Sequence, residues 1–302
     1  MITSEQALQI FGAVMNQWAE KATVLVGGMV GYVFRIDTQK SSYILKLYNK
    51  INKSETVDDR VYGSNYKNLL PTYDLLVKKG ILTPKIYAEG EIEGFTYAVF
   101  DFLEGRGVDG EIINYPICAD TLAKVHSIQR KYQGWVMNDK PYTVAWSDAF
   151  KESLQSRLSG IKDLIDQGLY MKVETFIAKY ISDLKDPESF VLSHLDGLQA
   201  IFNNTAGSWF LGGVIDIEDY QFTDQRFVLA GITLMQRFGK YKLTEMFWSV
   251  YQQRVRIDKT FPQFENLFQI YYLLVWIKVH ENDSLEQDEC VRVMETIVSL
   301  CL

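Results

Sequence analysis

The sequence predicts an α+β fold in which a small β-rich N-terminal lobe precedes a larger and mainly helical C-terminal lobe. Segments rich in β-branched and aromatic residues, separated by glycine or polar turns, fill the chain up to Phe102. Segments with helical spacing of apolar residues fill most of the remaining chain. The pattern changes from strand-like to helical at Glu104-Gly105. We therefore expect one lobe over 1–103 and a second over 104–302.

The composition excludes several classes of protein. The 302 residues are 47% hydrophobic and 23% charged, which is ordinary for a globular chain with a substantial core. A formal net charge of −7 argues against nucleic-acid binding, because that binding needs clustered Lys and Arg. We see no leader-like segment and no apolar run of spanning length, so we expect a cytoplasmic protein without membrane contact. The three cysteines lack CxxC spacing, which favours neither disulfides nor a zinc site.

The N-terminal lobe is expected to contain a five-stranded sheet and helices. Ser4 is expected to cap a first helix. Three strands are expected between Thr23 and about Tyr48, a second helix from about Asn65 to Lys79 with Gly80 as its terminator, and a hairpin that turns near Glu93-Gly94. The first helix should pack one apolar stripe against the sheet, formed by Leu8, Phe11, Met15 and Trp18.

The helical half has one interruption, the segment FVLSHLDGLQAIFNNTAGSWFLGGVIDIEDY. Its pattern predicts two short strand pairs joined by an Asn-rich turn. A hairpin inside a helical region is a natural place for a functional site, and we expect one here.

Four pieces of this chain suit phosphoryl transfer, in which catalysis consists mainly of positioning and of neutralising charge. Gly27, Gly28 and Gly31 lie between two predicted strands, where glycine lets the backbone approach a phosphate, although a plain hairpin turn is the alternative. Lys46 is an isolated cation in the apolar strand YILKLYN. It would contact phosphates, or it would point to solvent from an edge strand.

The other two pieces are acidic. Asp196 stands in His194-Leu195-Asp196 directly after an apolar strand, and such a carboxylate can orient an attacking hydroxyl while His194 holds the loop. Asp216 ends the apolar strand of GVIDIED, where its carboxylate suits magnesium, which prefers oxygen ligands. An acidic turn in solvent is the alternative for Asp216. The ordered set of glycines, Lys46, Asp196 and Asp216 is less expected by chance than any single member.

From about residue 22 to residue 235 the chain resembles the aminoglycoside phosphotransferase and choline kinase-like family, the small-molecule branch of the protein kinase-like fold. The motifs that carry the resemblance are LVGGMVGYVFRID, YILKLYN, KKGILTPKIYA, AVFDFLEG, LAKVHSI, VLSHLDG and GVIDIEDYQFTDQRFVLA. The resemblance implies a bilobal fold that holds a nucleotide between its lobes. It also implies ATP or GTP and magnesium as cofactors, and a small-molecule hydroxyl acceptor as substrate. The net charge of −7 favours a cationic or neutral acceptor.

The resemblance implies roles for individual residues. Asp196 would be the catalytic carboxylate, supported by His194, and Asp216 the main magnesium ligand. The residues expected to contact the nucleotide are Gly28, Gly31, Val33, Lys46, Phe100, Asp101 and Leu103, with the adenine bonded by backbone near Asp101 and Leu103.

Two departures from the family pattern put activity in question. Ile201 stands where the family has a metal-binding Asn, so Gln199, Asn203 or Asn204 would have to replace it. The helix that normally supplies a Glu to the strand-three Lys offers no clear counterpart; the candidates are Glu55, Asp58 and Asp59 if the preceding segment folds back.

The acceptor is expected beside the catalytic loop. Glu218, Asp219 and Glu281 are candidates to attract an amine-bearing acceptor, although a solvated acidic turn is the alternative for residues 281–289. Tyr271, Tyr272 and Trp276 would form an aromatic wall or, more simply, pack in the core.

The sequence therefore predicts an ATP-dependent or GTP-dependent phosphotransferase acting on an aminoglycoside-like antibiotic or a related metabolite. The main alternative is a catalytically impaired, pseudokinase-like binding protein of the same fold. A protein kinase is less favoured, since no APE-like segment comes after Asp216.

Overall fold

The described residues of the computed structural model are 2–25, 31–49, 61 and 65–301. The chain divides into two compact units. The first comprises Met1–Ser54, Ser64–Arg106 and Ala200–Glu218, and the second comprises Glu55–Gly63, Gly107–Gln199 and Asp219–Leu302. The predicted lobe boundary after Leu103 stays a prediction. The predicted order, a β-rich N-terminal part and a helical C-terminal part, is confirmed.

The first unit is built on a five-stranded antiparallel sheet with the order β1-β2-β3-β5-β4. The predicted meander and hairpin are therefore confirmed. Glu93 and Gly94 form the hairpin turn with φ of 49° and 85°, the positive values that a tight two-residue turn requires. The strands are β1 (Lys21–Val24), β2 (Gly31–Asp37), β3 (Ser42–Asn49), β4 (Ile86–Ile92) and β5 (Phe95–Asp101).

Helix α1 (Ser4–Met15) is capped by Thr3 rather than by Ser4. Thr3 Oγ1 accepts a hydrogen bond from the Gln6 amide at 3.2 Å, and Gln6 Oε1 accepts one from the Thr3 amide at 2.9 Å. This reciprocal pair is a capping box, which satisfies two amide groups that have no partner within the helix. The predicted cap was wrong by one residue, because Thr3 is the last residue with extended backbone.

The apolar stripe of α1 is shorter than predicted. The helix stops at Asn16, which adopts the left-handed conformation with φ of 48°. Trp18 therefore lies beyond the helix, 81% exposed, and does not continue the stripe. The residues of α1 that are buried against the sheet are Ala7, Ile10 and Phe11.

Helix α2 (Leu69–Lys78) comes after a 3-10 turn at Tyr66–Asn68. The Asn65 side chain caps that turn by accepting a hydrogen bond from the Lys67 amide at 3.2 Å. Gly80 has a φ of 69° and ends the helical segment, as predicted.

A hairpin from later in the chain completes the first unit. Its strands are β10 (Ala200–Thr205) and β11 (Ser208–Val214), in a sheet of order β11-β10-β6 with β6 at Arg106–Gly107. The turn consists of Ala206 and Gly207, both with positive φ. The predicted Asn-rich turn is wrong, because Asn203 and Asn204 both lie within β10, where the Asn204 side chain accepts a hydrogen bond from the Gly207 amide at 3.1 Å.

The second unit contains a small sheet of order β7-β9-β12-β8. Strand β9 (Phe190–His194) pairs antiparallel with β12 (Tyr220–Thr223), most of which lies beyond the segment predicted as the interruption. Strands β7 (Gln129–Arg130) and β8 (Gly134–Trp135) were not predicted, since two residues are too short for a period-two signal.

Seven helices pack in the described part of the second unit. They are α3 (Pro116–His126), α4 (Trp146–Gly160), α5 (Gln167–Ile181), α6 (Gln225–Arg237), α7 (Glu245–Gln252), α8 (Phe261–Val279) and α9 (Ser284–Cys301). None of the helices in the described ranges is long and apolar enough to cross a membrane.

Helix α8 forms the centre of the second unit's core. Tyr271 and Tyr272 are fully buried, and the Tyr272 ring stacks on Phe227 with centroids 4.7 Å apart. Trp276 is half-buried beside Phe238, with ring centroids 5.6 Å apart. Core packing, the simpler of the two predictions for these aromatic residues, is confirmed for Tyr271 and Tyr272.

Candidate active site

Lys46 lies in β3, between β2 and β5, and not on an edge strand. Its Cα pairs with Val33 on one side and Ala98 on the other. Only 13% of its side chain is exposed, so the solvent-pointing alternative is wrong.

The buried ammonium of Lys46 is held by two carboxylates. Lys46 Nζ donates to Asp216 Oδ1 at 2.5 Å and to Glu218 Oε1 at 2.7 Å. Burial alone would lower the pKa of Lys46, but the negative charges of Glu218 and then Asp216 outweigh it and raise the pKa above its usual value. Lys46 therefore stays a cation, as a group that binds phosphate must.

Glu218 is the partner of Lys46 that we did not predict from the sequence. Its carboxylate is 3% exposed and also accepts a hydrogen bond from the Tyr48 hydroxyl at 2.5 Å. Asn68, just before α2, donates to its backbone carbonyl at 3.2 Å. Among the described residues Glu218 Oε2 has no hydrogen-bond partner. The contact of Glu218 with Lys46 is thus observed, whereas a contact of Glu218 with an amine-bearing acceptor stays a prediction.

The position of Glu218 in the sequence offered only a weak signal. It stands in the run IDIEDY, where its side chain could equally belong to an acidic turn. From the segment expected to supply a Glu, the Asn68 side-chain amide donates to the Glu218 backbone carbonyl. Glu55, Asp58 and Asp59, the other candidates, lie outside the described residues.

Asp216 comes after β11 in a strained backbone conformation. Its φ is 53°, in the left-handed region that non-glycine residues rarely adopt. Such outliers cost about 1–3 kcal/mol and concentrate at functional sites, where the surrounding structure holds them. Asp216 thus has a strained backbone and a salt bridge to Lys46, and its side chain is 36% exposed.

One cavity within the first unit brings several predicted residues together. Its volume is about 260 Å³, and apolar side chains such as Leu25, Ile44 and Ile215 form much of its wall. Mostly apolar pockets with a few polar groups are typical of small-molecule sites. The predicted site residues that line it are Val33, Lys46, Phe100, Asp101, Leu103 and Asp216.

The side chain of Asp101 has a structural contact. Its carboxylate accepts from the Tyr87 hydroxyl at 2.7 Å and from the Lys85 amide at 3.3 Å, and the first of these bonds raises the pKa of Tyr87 to about 12. The Asp101 amide donates to the Lys85 carbonyl at 3.0 Å. The Asp101 amide is therefore already used, and a backbone amide of this segment that donates to adenine would be that of Leu103.

Gly31 has a structural reason to be glycine. A Cβ atom here would lie 2.4 Å from the Leu47 carbonyl oxygen, so the close approach of β2 to β3 excludes a side chain. Gly27 and Gly28 lie outside the described residues, and their phosphate contact stays a prediction.

The residues proposed for magnesium are only partly brought together. Ile201 lines the cavity, with a side chain that cannot bind a metal. Asn203 is exposed on β10, and Gln199 belongs to the second unit. The described ranges contain no group of three His, Cys, Asp or Glu residues arranged for a metal. Magnesium is often bound by only one or two protein carboxylates, with substrate phosphates and water as its other ligands. The Asp216 carboxylate, with the buried Glu218 Oε2 two residues further along the chain, fits that kind of ligand set.

In the second unit, Asp196 lies in a tight turn after β9. The Gly197 amide donates to the His194 carbonyl at 3.1 Å, and Gly197 has a φ of 85°. The Asp196 amide donates to His194 Nδ1 at 3.0 Å, while the Asp196 side chain is exposed. The Tyr272 hydroxyl anchors the same turn by donating to the Leu195 carbonyl at 2.7 Å. The turn therefore presents one carboxylate from a fixed backbone.

His194 links this turn to Asp219. Since Nδ1 accepts the Asp196 amide, a neutral His194 carries its proton on Nε2, which lies 3.9 Å from Asp219 Oδ2. The ring is 5% exposed. This arrangement supports the predicted role of His194 in holding the loop.

The acidic residues after α8 lie at the surface. Glu281 pairs with Lys278, and Glu286 lies 3.9 Å from Lys240. These contacts suit a solvated surface, and an acceptor contact of Glu281 stays a prediction.

Solved structures share the fold of this chain. An aminoglycoside phosphotransferase crystallised with AMP-PNP and hygromycin B is 16% identical, with a TM-score of 0.66 over 97% of both chains. A protein described as a fructosamine-3-kinase from Haemophilus somnus is 16% identical, with a TM-score of 0.61 over 95% of this chain and 96% of that one. A spectinomycin phosphotransferase in complex with ADP and spectinomycin is 14% identical, with a TM-score of 0.62 over 99% and 98%.

No protein-family model and no curated protein matches the chain. The similarity is thus one of structure over nearly the whole length. The chain has the protein kinase-like fold in the form that these aminoglycoside phosphotransferases and fructosamine kinases share.

Proposed function

We propose that this protein transfers the γ-phosphoryl group of ATP, or of GTP, to a hydroxyl group of a small molecule. The observation that carries the proposal is the buried Lys46 held by Asp216 and Glu218 at an apolar cavity. A buried cation beside carboxylates, next to a pocket that suits a nucleobase, is the arrangement that phosphoryl transfer needs. The fold of the chain supports the same function.

The first-unit residues would bind the nucleotide. The apolar wall, with Val33 and Phe100, would accept the base, and the backbone near Leu103 would bond its edge. Lys46 would contact the phosphates. Magnesium, when bound, supplies positive charge that neutralises the phosphate oxygens, and Asp216 would hold it, with Asn203 as a candidate further ligand.

Asp196 would orient the acceptor hydroxyl and accept its proton. The exposure of its carboxylate, on a turn held by His194, supports this role. His194 would act by fixing the loop backbone.

The acceptor would be an aminoglycoside-like compound or a related amino sugar in the cytoplasm. Three observations support this class: the fold neighbours were crystallised with hygromycin B or spectinomycin or are described as fructosamine kinases, the net charge is −7, and Asp219 adds a negative charge beside His194. Negative charge attracts cationic acceptors.

A thermal-shift titration tests nucleotide binding. ATP or GTP should raise the melting temperature in the presence of magnesium, because a ligand that binds the folded state stabilises it. Lys46→Met should abolish the shift, whereas Lys21→Met, at an exposed position of β1, should keep it. Absence of a shift with every nucleotide, in the presence of magnesium, would contradict the proposal.

A product-detected acceptor screen tests transfer itself. The compounds are aminoglycosides, other hydroxylated antibiotics, choline and amino sugars, each with ATP and with GTP. With any acceptor that is phosphorylated, Asp196→Asn should lower kcat at least about a hundredfold and leave the ATP-induced thermal shift in place. Asp163→Asn, an exposed residue of the same unit, is the control. Unchanged turnover in Asp196→Asn would remove Asp196 from the mechanism.

A nucleotide-binding protein that does not transfer phosphate is the second candidate. The observation that favours it is Ile201, whose apolar side chain lines the cavity at the position expected for a metal ligand. This candidate predicts magnesium-independent nucleotide binding and no product from any acceptor in the screen.

A further inference from the structure

An unbroken series of hydrogen bonds crosses the second unit and ends at the turn that carries Asp196. Gln225 Nε2 donates to the Tyr251 hydroxyl at 3.0 Å, which lies 2.7 Å from His126 Nδ1. His126 Nε2 lies 3.0 Å from Ser193 Oγ. Ser193 Oγ donates in turn to the His194 carbonyl at 3.0 Å. The series joins α6, α7, α3 and β9.

The heavy-atom distances are consistent with one set of bond directions. If the single hydroxyl proton of Ser193 goes to the His194 carbonyl, His126 Nε2 is the donor to Ser193 Oγ. A neutral imidazole then has Nδ1 free to accept, and the Tyr251 hydroxyl supplies that proton. Reversing the direction would take the Ser193 proton away from the His194 carbonyl.

Burial fixes the protonation state of the central residue. His126 and Tyr251 are fully buried, and Ser193 is 1% exposed. Burial lowers the pKa of His126 to about 3, so the ring stays neutral at ordinary pH. A neutral histidine offers one donor and one acceptor, and both are used here.

The last residue of the series is bonded on two sides. The His194 carbonyl accepts from Ser193 and also from the Gly197 amide. The His194 ring accepts from the Asp196 amide. The peptide and the ring of His194 are therefore both fixed, and with them the backbone from which Asp196 projects.

We infer that His126 is a positioning residue: in its neutral form, protonated on Nε2, it holds Ser193 and thereby fixes the His194–Gly197 turn that presents Asp196. The inference rests on the catalytic role proposed for Asp196. Small errors in the placement of a reacting group cost large factors in rate, which is why a fixed turn matters for the chemistry.

Two single-atom deletions test the inference. Ser193→Ala and Tyr251→Phe each remove one hydroxyl from the series and leave the rest of the side chain. The second unit provides a matched control, because the Ser153 hydroxyl lies 2.8 Å from the Tyr271 hydroxyl and both residues are equally buried. Ser153→Ala and Tyr271→Phe remove the same groups from a bond that joins α4 and α8.

With a phosphorylated acceptor in hand, kcat and the KM for ATP separate positioning from general stability. We expect Ser193→Ala and Tyr251→Phe to lower kcat about tenfold or more, with the KM for ATP changed less than about twofold. The controls should keep kcat within about twofold at a similar loss of melting temperature. Because both deletions act through His126, the fold decrease in kcat of the double variant should be smaller than the product of the two single fold decreases.

Two further readouts do not need turnover. Amide hydrogen exchange at Asp196 and Gly197 should become faster in Ser193→Ala and Tyr251→Phe but not in the two controls. The ¹⁵N chemical shifts of the His126 ring should report a proton on Nε2 in the wild type.

Equal effects of the series variants and the controls on exchange would overturn the inference, as would a His126 proton on Nδ1. If the wild type phosphorylates no acceptor, the proposed function fails, while the exchange and ¹⁵N measurements still decide whether His126 fixes the turn.

Discussion

At the scale of single residues, Lys46, Asp216 and Glu218 form a charge cluster in which the cation is largely buried. Two of its members were predicted from the sequence as site residues, because Lys46 is an isolated cation in an apolar strand and Asp216 ends another apolar strand. The third was assigned to a different role. A residue's contact with a partner more than one hundred positions away depends on how the hairpin β10–β11 packs, and no local pattern encodes that.

The cluster leads to a prediction for Glu218. Glu218→Gln keeps the size of the side chain but removes one of the two negative charges that stabilise the Lys46 cation. We expect the Kd for ATP with magnesium to rise about tenfold, equivalent to about 1.4 kcal/mol, because Lys46 is held less firmly at the cavity. Isothermal titration calorimetry measures this change.

The control for that variant is Glu20→Gln, an exposed residue before β1. It changes the net charge by the same amount and should leave the Kd unchanged. An equal effect of the two substitutions would show that net charge, and not the contact with Lys46, sets the affinity.

At the scale of secondary-structure elements, the sequence predicted most segments and missed some of their ends. The hairpin turn at Glu93-Gly94 and the helix end at Gly80 were predictable, because both depend on local backbone conformation. The cap of α1 and the length of its apolar stripe were not, because Thr3 and Ser4 are both good capping residues and only the observed backbone separates them.

The pairing of β2 with β3 makes a testable prediction about Gly31. Gly31→Ala would place a Cβ atom 2.4 Å from the Leu47 carbonyl oxygen, so the two strands would have to move apart. We expect a loss of about 1–3 kcal/mol in the free energy of unfolding, measured by urea denaturation.

Gly12→Ala is the matched control, since a Cβ atom there would meet only the Gln17 carbonyl oxygen at 3.7 Å. Alanine within α1 should be neutral or stabilising by up to about 1 kcal/mol. If both substitutions have the same effect, the close approach of the strands does not explain Gly31.

At the scale of the whole molecule, the fold class could be predicted because periodicity reports on each half of the chain independently. The extent of each compact unit could not, since the first unit takes in Ala200–Glu218 from the middle of the helical half. Long-range packing of this kind leaves no periodic signal in the sequence.

The stability of the folded chain should depend on pH through His126. Its pKa in the folded state is lowered by burial to about 3, against 6.5 in an unfolded chain. On acidification the unfolded state therefore takes up the proton first, and the contribution of the neutral buried ring, complete above pH 6.5, is lost as the pH falls toward 3. At about 1.4 kcal/mol per pH unit, the loss at pH 5 is about 2 kcal/mol.

Thermal melts between about pH 7.5 and pH 5 measure this dependence. His126→Gln removes the titrating group, so the fall in melting temperature over this range should be smaller in the variant than in the wild type, whatever its stability at neutral pH. If the melting temperature falls equally in the two proteins, His126 is not the group whose protonation destabilises the fold.

The left-handed backbone of Asp216, with its φ of 53°, has a consequence for engineering. Glycine tolerates that conformation at no steric cost, so Asp216→Gly would relieve the backbone strain but would also remove one of the two carboxylates that hold Lys46. A selection on melting temperature alone has no means of preserving the carboxylate that faces the cavity. Directed evolution of this scaffold should therefore screen for retained ligand response in every round.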